Sequence, residues 1–186
     1  MPHLTSQLQG TSLDQKLEIY RATSTRYRQW YADQAEHGGR CFYWSLTLMG
    51  VLLQSGYRAL IQAGSMSWPI VPPGLDDGKA ATHFSYEWSH WREESQAALK
   101  LGLLPEIHVW VGLPEQNELL DFATKFLPEQ AAKEGLVWHT PPPPEFLWCG
   151  PSELPDGVIY KPNLEAIAFI LERIKRARCE DHYLTL

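Results

Sequence analysis

The chain is short of cysteine, of positive charge and of long apolar runs, and each shortage removes a class of protein. Three cysteines, Cys41, Cys149 and Cys179, stand among 186 residues. They are too few and too scattered for a disulfide framework or a closed zinc site, and read most simply as the free thiols of an intracellular chain. Lysine and arginine number 16 against 22 aspartates and glutamates, a net charge of -6. That balance argues against a nucleic-acid partner, because phosphate binding draws on a basic surface. No run approaches the roughly eighteen apolar residues of a membrane span. The N-terminal Met1-Pro2-His3-Leu4 lacks the charged-then-apolar pattern of a secretory signal. A cytoplasmic protein is the default expectation.

What is present is an ordinary core-forming composition, 44% hydrophobic and 20% charged, in a length suited to one domain spanning 1–186. Eight tryptophans are the exception. Several cluster between 68 and 110, with a further pair at 138 and 148, and tryptophan serves both cores and the walls of clefts.

Periodicity alternates between 3.6 and 2 along the chain. A first helix is expected from Leu13 to about Ala35, with Thr11 or Ser12 as cap and Leu17, Tyr20, Tyr27, Trp30 and Tyr31 on its apolar face. After a His37-Gly38-Gly39 turn, Cys41 to Ser55 predicts a second helix that is apolar on nearly every side, hence central, ended by Gly56. Strands are expected at Tyr57–Ala63, resuming at Trp68–Val71 after a kink at Gly64, and at Thr82–Trp88. A short helix follows at Trp91–Leu101. Ile107–Leu113 and Glu118–Thr124 make a hairpin. Phe126–Glu134 reads as a short helix, Trp138–Gly150 as an extended surface segment stiffened by Pro141–Pro144, and Val158–Tyr160 as an edge strand. Asn163 caps a final helix whose expected buried face is Leu164, Ile167, Ala168, Leu171 and Ile174.

Three residues of this pattern carry chemistry. Cys41 opens the second helix, where unpaired N–H groups and the helix dipole favour thiolate over thiol. His108 and Asp121 lie on the two strands of the hairpin and point to the same side when the loop between the strands has an even number of residues. Acyl transfer by cysteine needs a thiolate, a base that also protonates the leaving group, and a residue to orient that base. Cys41, His108 and Asp121 fit those roles in that order. Oxyanion donors are less defined: the backbone N–H of Cys41 is one candidate, with Gln34, His37, Tyr43 or a nearby tryptophan as others.

Gly39-x-Cys41, Leu52-Leu53 and Gly56-Tyr57-Arg58-Ala59 resemble the cysteine–helix–strand block of transglutaminase-like proteins. His108-Val109-Trp110 and Asp121-x-x-Thr124 resemble the histidine and aspartate strands of the same superfamily. The resemblance covers residues 38–63 and 105–125. It implies an α+β, papain-like fold with a central helix packed on an antiparallel sheet. It also implies a cysteine-dependent hydrolase or acyltransferase that forms a thioester from an amide, either a peptide bond or a glutamine side chain, so that a peptide or protein is the expected partner. No cofactor and no resident metal are expected. The chain departs from the pattern in the long tryptophan-rich stretch before His108 and in the two residues, rather than one, that precede Thr124.

Other readings stand beside this one. A lone cysteine is commonly a small buried hydrophobe, and His108 in an apolar strand a satisfied core histidine. His83, with Ser85 and Glu87 on its face, rivals His108 as a base or cleft residue. His83, His108 and Asp121 also have the composition of a two-histidine, one-carboxylate metal site. Trp68, Trp88 and Trp110, with His83, are the candidate substrate-binding wall, and core packing accounts for each tryptophan equally well. The same fold with a disused triad would be a binding module with an aromatic cleft. Cys149 and Cys179 read as incidental.

Overall fold

The computed structural model describes residues 11–31, 40–72, 82–89, 92–100 and 106–183. Gln34, His37, the expected loop at 73–78, Trp91 and Gly102 lie outside them. The elements, in chain order, are α1 (Leu13–Tyr31), α2 (Arg40–Gln54), β1 (Leu60–Pro69), β2 (His83–Tyr86), α3 (Glu93–Lys100), β3 (His108–Leu113), β4 (Glu118–Asp121), α4 (Leu127–Lys133), β5 (Leu147–Cys149), β6 (Ile159–Pro162) and α5 (Leu164–Tyr183). Helices and antiparallel strands together make an α+β protein. Among the described residues no helix is long and apolar enough to cross a membrane.

The chain divides into two compact units interleaved in sequence. The first comprises Met1–Leu60, Trp110–Lys125 and Pro144–Leu154, and the second Ile61–Val109, Phe126–Pro143 and Pro155–Leu186.

In the first unit α1 begins with a reciprocal cap. The Ser12 N–H donates to Gln15 Oε1 at 3.0 Å and the Gln15 N–H to Ser12 Oγ at 3.4 Å. Its buried face is Ile19, Tyr20, Thr23, Ser24 and Tyr27. Trp30, expected on that face, is 61% exposed, because the buried stripe runs through small polar residues that a hydrophobicity pattern passes over. In α2 the buried residues are Phe42, Trp44, Ser45, Thr47, Leu48, Val51 and Leu52, while Leu53 is exposed, so one side of this helix remains open. Gly56 at φ +84° turns the chain out of α2, and the Tyr57 N–H returns to the Leu52 carbonyl at 3.0 Å. Tyr27 stacks on Trp44 at 4.3 Å, and Tyr20 lies parallel to the same indole at 6.5 Å. β3 and β4 pair antiparallel through Val111↔Leu120, Gly112↔Leu119 and Leu113↔Glu118.

β5 pairs with β4 through Leu119↔Cys149, Leu120↔Trp148 and Asp121↔Leu147. The expected surface segment Trp138–Gly150 therefore ends in a buried strand. Three residues are too few to show a period, and the Trp148 indole N–H reaches a partner, Glu118 Oε2, at 2.8 Å.

In the second unit β1 is the middle strand, with β2 on one side and β6 on the other. Met66 pairs with both Tyr86 and Tyr160, and Ser67 with both Ser85 and Ile159. β1 is unbroken through Gly64, where the structure needs glycine for space rather than for a kink: a Cβ there would stand 2.2 Å from the Lys161 carbonyl oxygen. β6 is the expected edge strand, shifted one residue onward. Beyond β1, the His139 N–H donates to the Ile70 carbonyl at 2.8 Å and Thr140 Oγ1 to the Pro69 carbonyl at 3.0 Å. Asn163 caps α5 as expected, its Oδ1 accepting from the Glu165 and Ala166 N–H groups at 2.9 and 3.1 Å. The expected buried face is wrong by part of a turn: Ala166 and Ile170 are fully buried, while Leu164 is 84% exposed and Leu171 is also exposed. Leucine and isoleucine occupy both sides of this helix, so composition does not select the side.

Candidate functional site

Cys41 is the second residue of α2, half-buried and in no disulfide. Its N–H falls among the first four of the helix, which no carbonyl within the helix can satisfy. The helix start is held by aromatic rings: Tyr43 packs against Tyr31 at 4.6 Å, and Trp44 is stacked on Tyr27. Burial raises the Tyr27 phenol above its ordinary value, while the Arg40 charge lowers it and Cys41 raises it. Cys149, in β5, is buried, and that burial pushes its thiol upward, with Glu153 adding to the effect. Cys41 and Cys149 thus differ in access.

Asp121 ends β4 in the same unit as Cys41, and is 1% exposed. Its Oδ1 accepts the Ala123 N–H at 2.9 Å, an Asx turn that carries the chain out of the strand. Thr124, also buried, donates from Oγ1 to the Pro144 carbonyl at 2.9 Å. The carboxylate therefore has a local structural task, whatever else it does. The turn between β3 and β4 is Pro114 to Asn117, the even count on which a shared side depends. Carried one step beyond Val111↔Leu120, the register sets Asp121 opposite Trp110, which is itself buried.

His108 opens β3, is 1% exposed and belongs to the second unit. Its ring stacks on Tyr86 at 5.2 Å and lies 5.9 Å from Tyr160. Those tyrosines flank Met66 on either side of β1, so the imidazole covers one row of the β2–β1–β6 sheet. Trp68 and Phe84, paired across β1 and β2, are buried on this same face. His83 is exposed at the start of β2, its Nδ1 2.9 Å from Thr82 Oγ1.

Trp88 follows β2 and lines a cavity of about 510 Å³ on the opposite face of that sheet. Of the four residues expected to form a substrate wall, Trp88 is in the lining; Trp68, Trp110 and His83 are not. The serines that make the cavity floor were absent from the expected site, because isolated serines in strands carry no sequence signal. Among the described residues no group of three or more His, Cys, Asp and Glu is placed to hold a metal ion.

Comparison with protein-family models, with curated proteins and with solved structures finds no match to this chain.

Proposed function

We propose that the chain is a cysteine-dependent hydrolase or acyltransferase acting on an amide, with a transglutaminase-like, papain-like arrangement of Cys41, His108 and Asp121. Cys41 gives its proton to His108 as Sγ forms a bond to the carbonyl carbon. The C–N bond breaks as His108 delivers a proton to the departing amine. Water or a second amine, deprotonated by His108, then cleaves the thioester and restores the thiol. Asp121 orients the imidazole.

The observation that carries this reading is the position of Cys41: a half-buried cysteine, in no disulfide, in the first turn of a fifteen-residue helix. The burial of His108 and Asp121 in β-strands supports it, since polar side chains at such depth require partners. A soluble peptide or protein substrate in the cytoplasm fits the acidic composition.

The test is iodoacetamide alkylation of Cys41 against pH, followed by mass spectrometry, in the parent and in His108→Ala. The expected result is rapid alkylation below about pH 8, where an ordinary thiol is mostly protonated, and slower reaction in the variant. A slow Cys41 indifferent to the loss of His108 would sink the catalytic reading. It would leave a binding module, for which the cavity beside Trp88 is the specific support.

A further inference from the structure

The cavity on the open face of the β2–β1–β6 sheet has one lining charge and one indole N–H without a partner among the described residues. Its floor is a row of hydroxyls. Ser67 and Ser85 face each other, as do Ser65 and Lys161. Ile159 and Lys161 form one wall; Trp88, Ser89 and Arg92 form another.

Each hydroxyl's existing bond decides what it still offers. Ser85 Oγ donates to Ser67 Oγ at 3.0 Å, which leaves the Ser67 hydrogen to donate elsewhere. Ser65 Oγ accepts the Trp88 backbone N–H at 3.1 Å, which likewise leaves its own hydrogen. The Trp88 indole Nε1–H, a donor only, is buried and meets no acceptor among the described residues, although the residue is just 7% exposed. Buried indole N–H groups ordinarily find an acceptor.

The charges lean the same way. Glu87 Oε2 is 3.6 Å from Arg92 Nη1, and the same nitrogen is 3.4 Å from Glu106. The cavity's carboxylate is therefore already engaged by its arginine. Lys161 is exposed and makes no ion pair among the described residues. Arg92 is shared by Glu87 and Glu106, so Lys161 is the lining charge left for a ligand.

We propose that this cavity binds a carboxylate, the free C-terminus of a short peptide or an acidic side chain, with Ser65, Ser67 and Trp88 donating neutral hydrogen bonds and Lys161 supplying the charge. A carboxylate accepts from these donors and pairs with the ammonium. A phosphate dianion calls for more positive charge than one lysine in surplus. A volume of about 510 Å³ lies within the ordinary range for small-ligand pockets. The imidazole of His108 lies on the other face of this sheet, so nothing in the cavity requires chemistry at Cys41.

The test is the ¹⁵N-indole spectrum of the full chain, with the Trp88 resonance assigned by Trp88→Phe. The probes are acetyl-Ala-Ala with a free carboxylate, its C-terminal amide, acetyl-Glu-amide and inorganic phosphate. Saturable movement of the Trp88 resonance by either acid is expected, with the neutral amide about tenfold weaker or worse, the factor of one charge-assisted hydrogen bond. Acetyl-Ala-Ala binding tighter identifies a peptide C-terminus as the source, and acetyl-Glu-amide binding tighter an acidic side chain. Lys161→Met, at an exposed position, weakens the acids by a similar factor and leaves the amide unchanged. The proposal is overturned by an amide as good as the acid, by a Trp88 resonance that no acid moves, by tighter binding of phosphate, or by acids indifferent to Lys161→Met. Cys41 alkylation in the same samples reports separately on the thiol.

Discussion

The Lys125 ammonium lies 4.5 Å above the Trp44 ring. The same nitrogen is 5.2 Å from the centre of the Tyr20 ring and donates to Tyr20 Oη at 2.8 Å. The Tyr20 hydroxyl in turn donates to Glu145. One cation thus joins α1, α2 and the segment before β5, all in the unit that carries Cys41, and Trp44 is only three residues beyond the thiol.

Lys125→Met is expected to destabilise the protein by about 1–2 kcal/mol, the sum of a partly desolvated cation–π contact and a hydrogen bond. Methionine fills much of the same volume, so packing loss is small. Urea unfolding measures it, and an unchanged midpoint would show that the cation adds nothing beyond its stem.

Tyr20 makes a distinct pH prediction. Burial first, then its hydrogen bond to Glu145, pushes its phenol from 10.0 up to about 12. A folded value above the unfolded one means a contribution fully present below pH 10 and lost as pH rises toward about 12. Lys125, lowered by burial, acts in the opposite sense, so the comparison must isolate the phenol. Tyr20→Phe is expected to lose less stability across that window than the parent. Equal losses in urea midpoints at pH 9.5 and 11.5, values chosen to straddle roughly the lower part of this window, would contradict it.

Gly64→Ala tests the contact between β1 and β6. The new methyl would meet the Lys161 carbonyl oxygen at 2.2 Å and the Asn163 nitrogen at 3.0 Å. Both are backbone atoms, so the strands must part. A loss of about 3 kcal/mol or more is expected, at the upper end of overpacking effects. A variant as stable as the parent would mean that β6 is not docked as described.

Asp121 separates structure from chemistry. Asp121→Asn keeps an acceptor for the Ala123 N–H, whereas Asp121→Ala leaves that buried N–H without it. The alanine variant is expected to be less stable by about 1–3 kcal/mol, and the asparagine variant to stay within about 1 kcal/mol of the parent. If the carboxylate also orients His108, Asp121→Asn slows Cys41 alkylation despite its stability. A stable, fully reactive asparagine variant would confine Asp121 to its turn.

Much of the order of elements was legible in the sequence. Ser12 with Gln15, Gly56 and Asn163 mark their helix ends through bonds within a few residues, so local chemistry suffices to place them. The Cys41 helix and the two strands carrying His108 and Asp121 likewise follow from periodicity and an even turn. What the sequence by itself determined is therefore local: where helices start and stop, which strands form the hairpin, and that a thiol opens α2. Tertiary structure decided the rest. It chose the buried side of α5, where apolar residues occur all round and only the packing partner selects Ala166 and Ile170. It made β5 from a three-residue segment whose stability comes from β4 rather than from its own pattern. It set Trp68 on one face of a sheet and the serine floor beside Trp88 on the other, because which residues share a face depends on strands far apart in sequence coming into register.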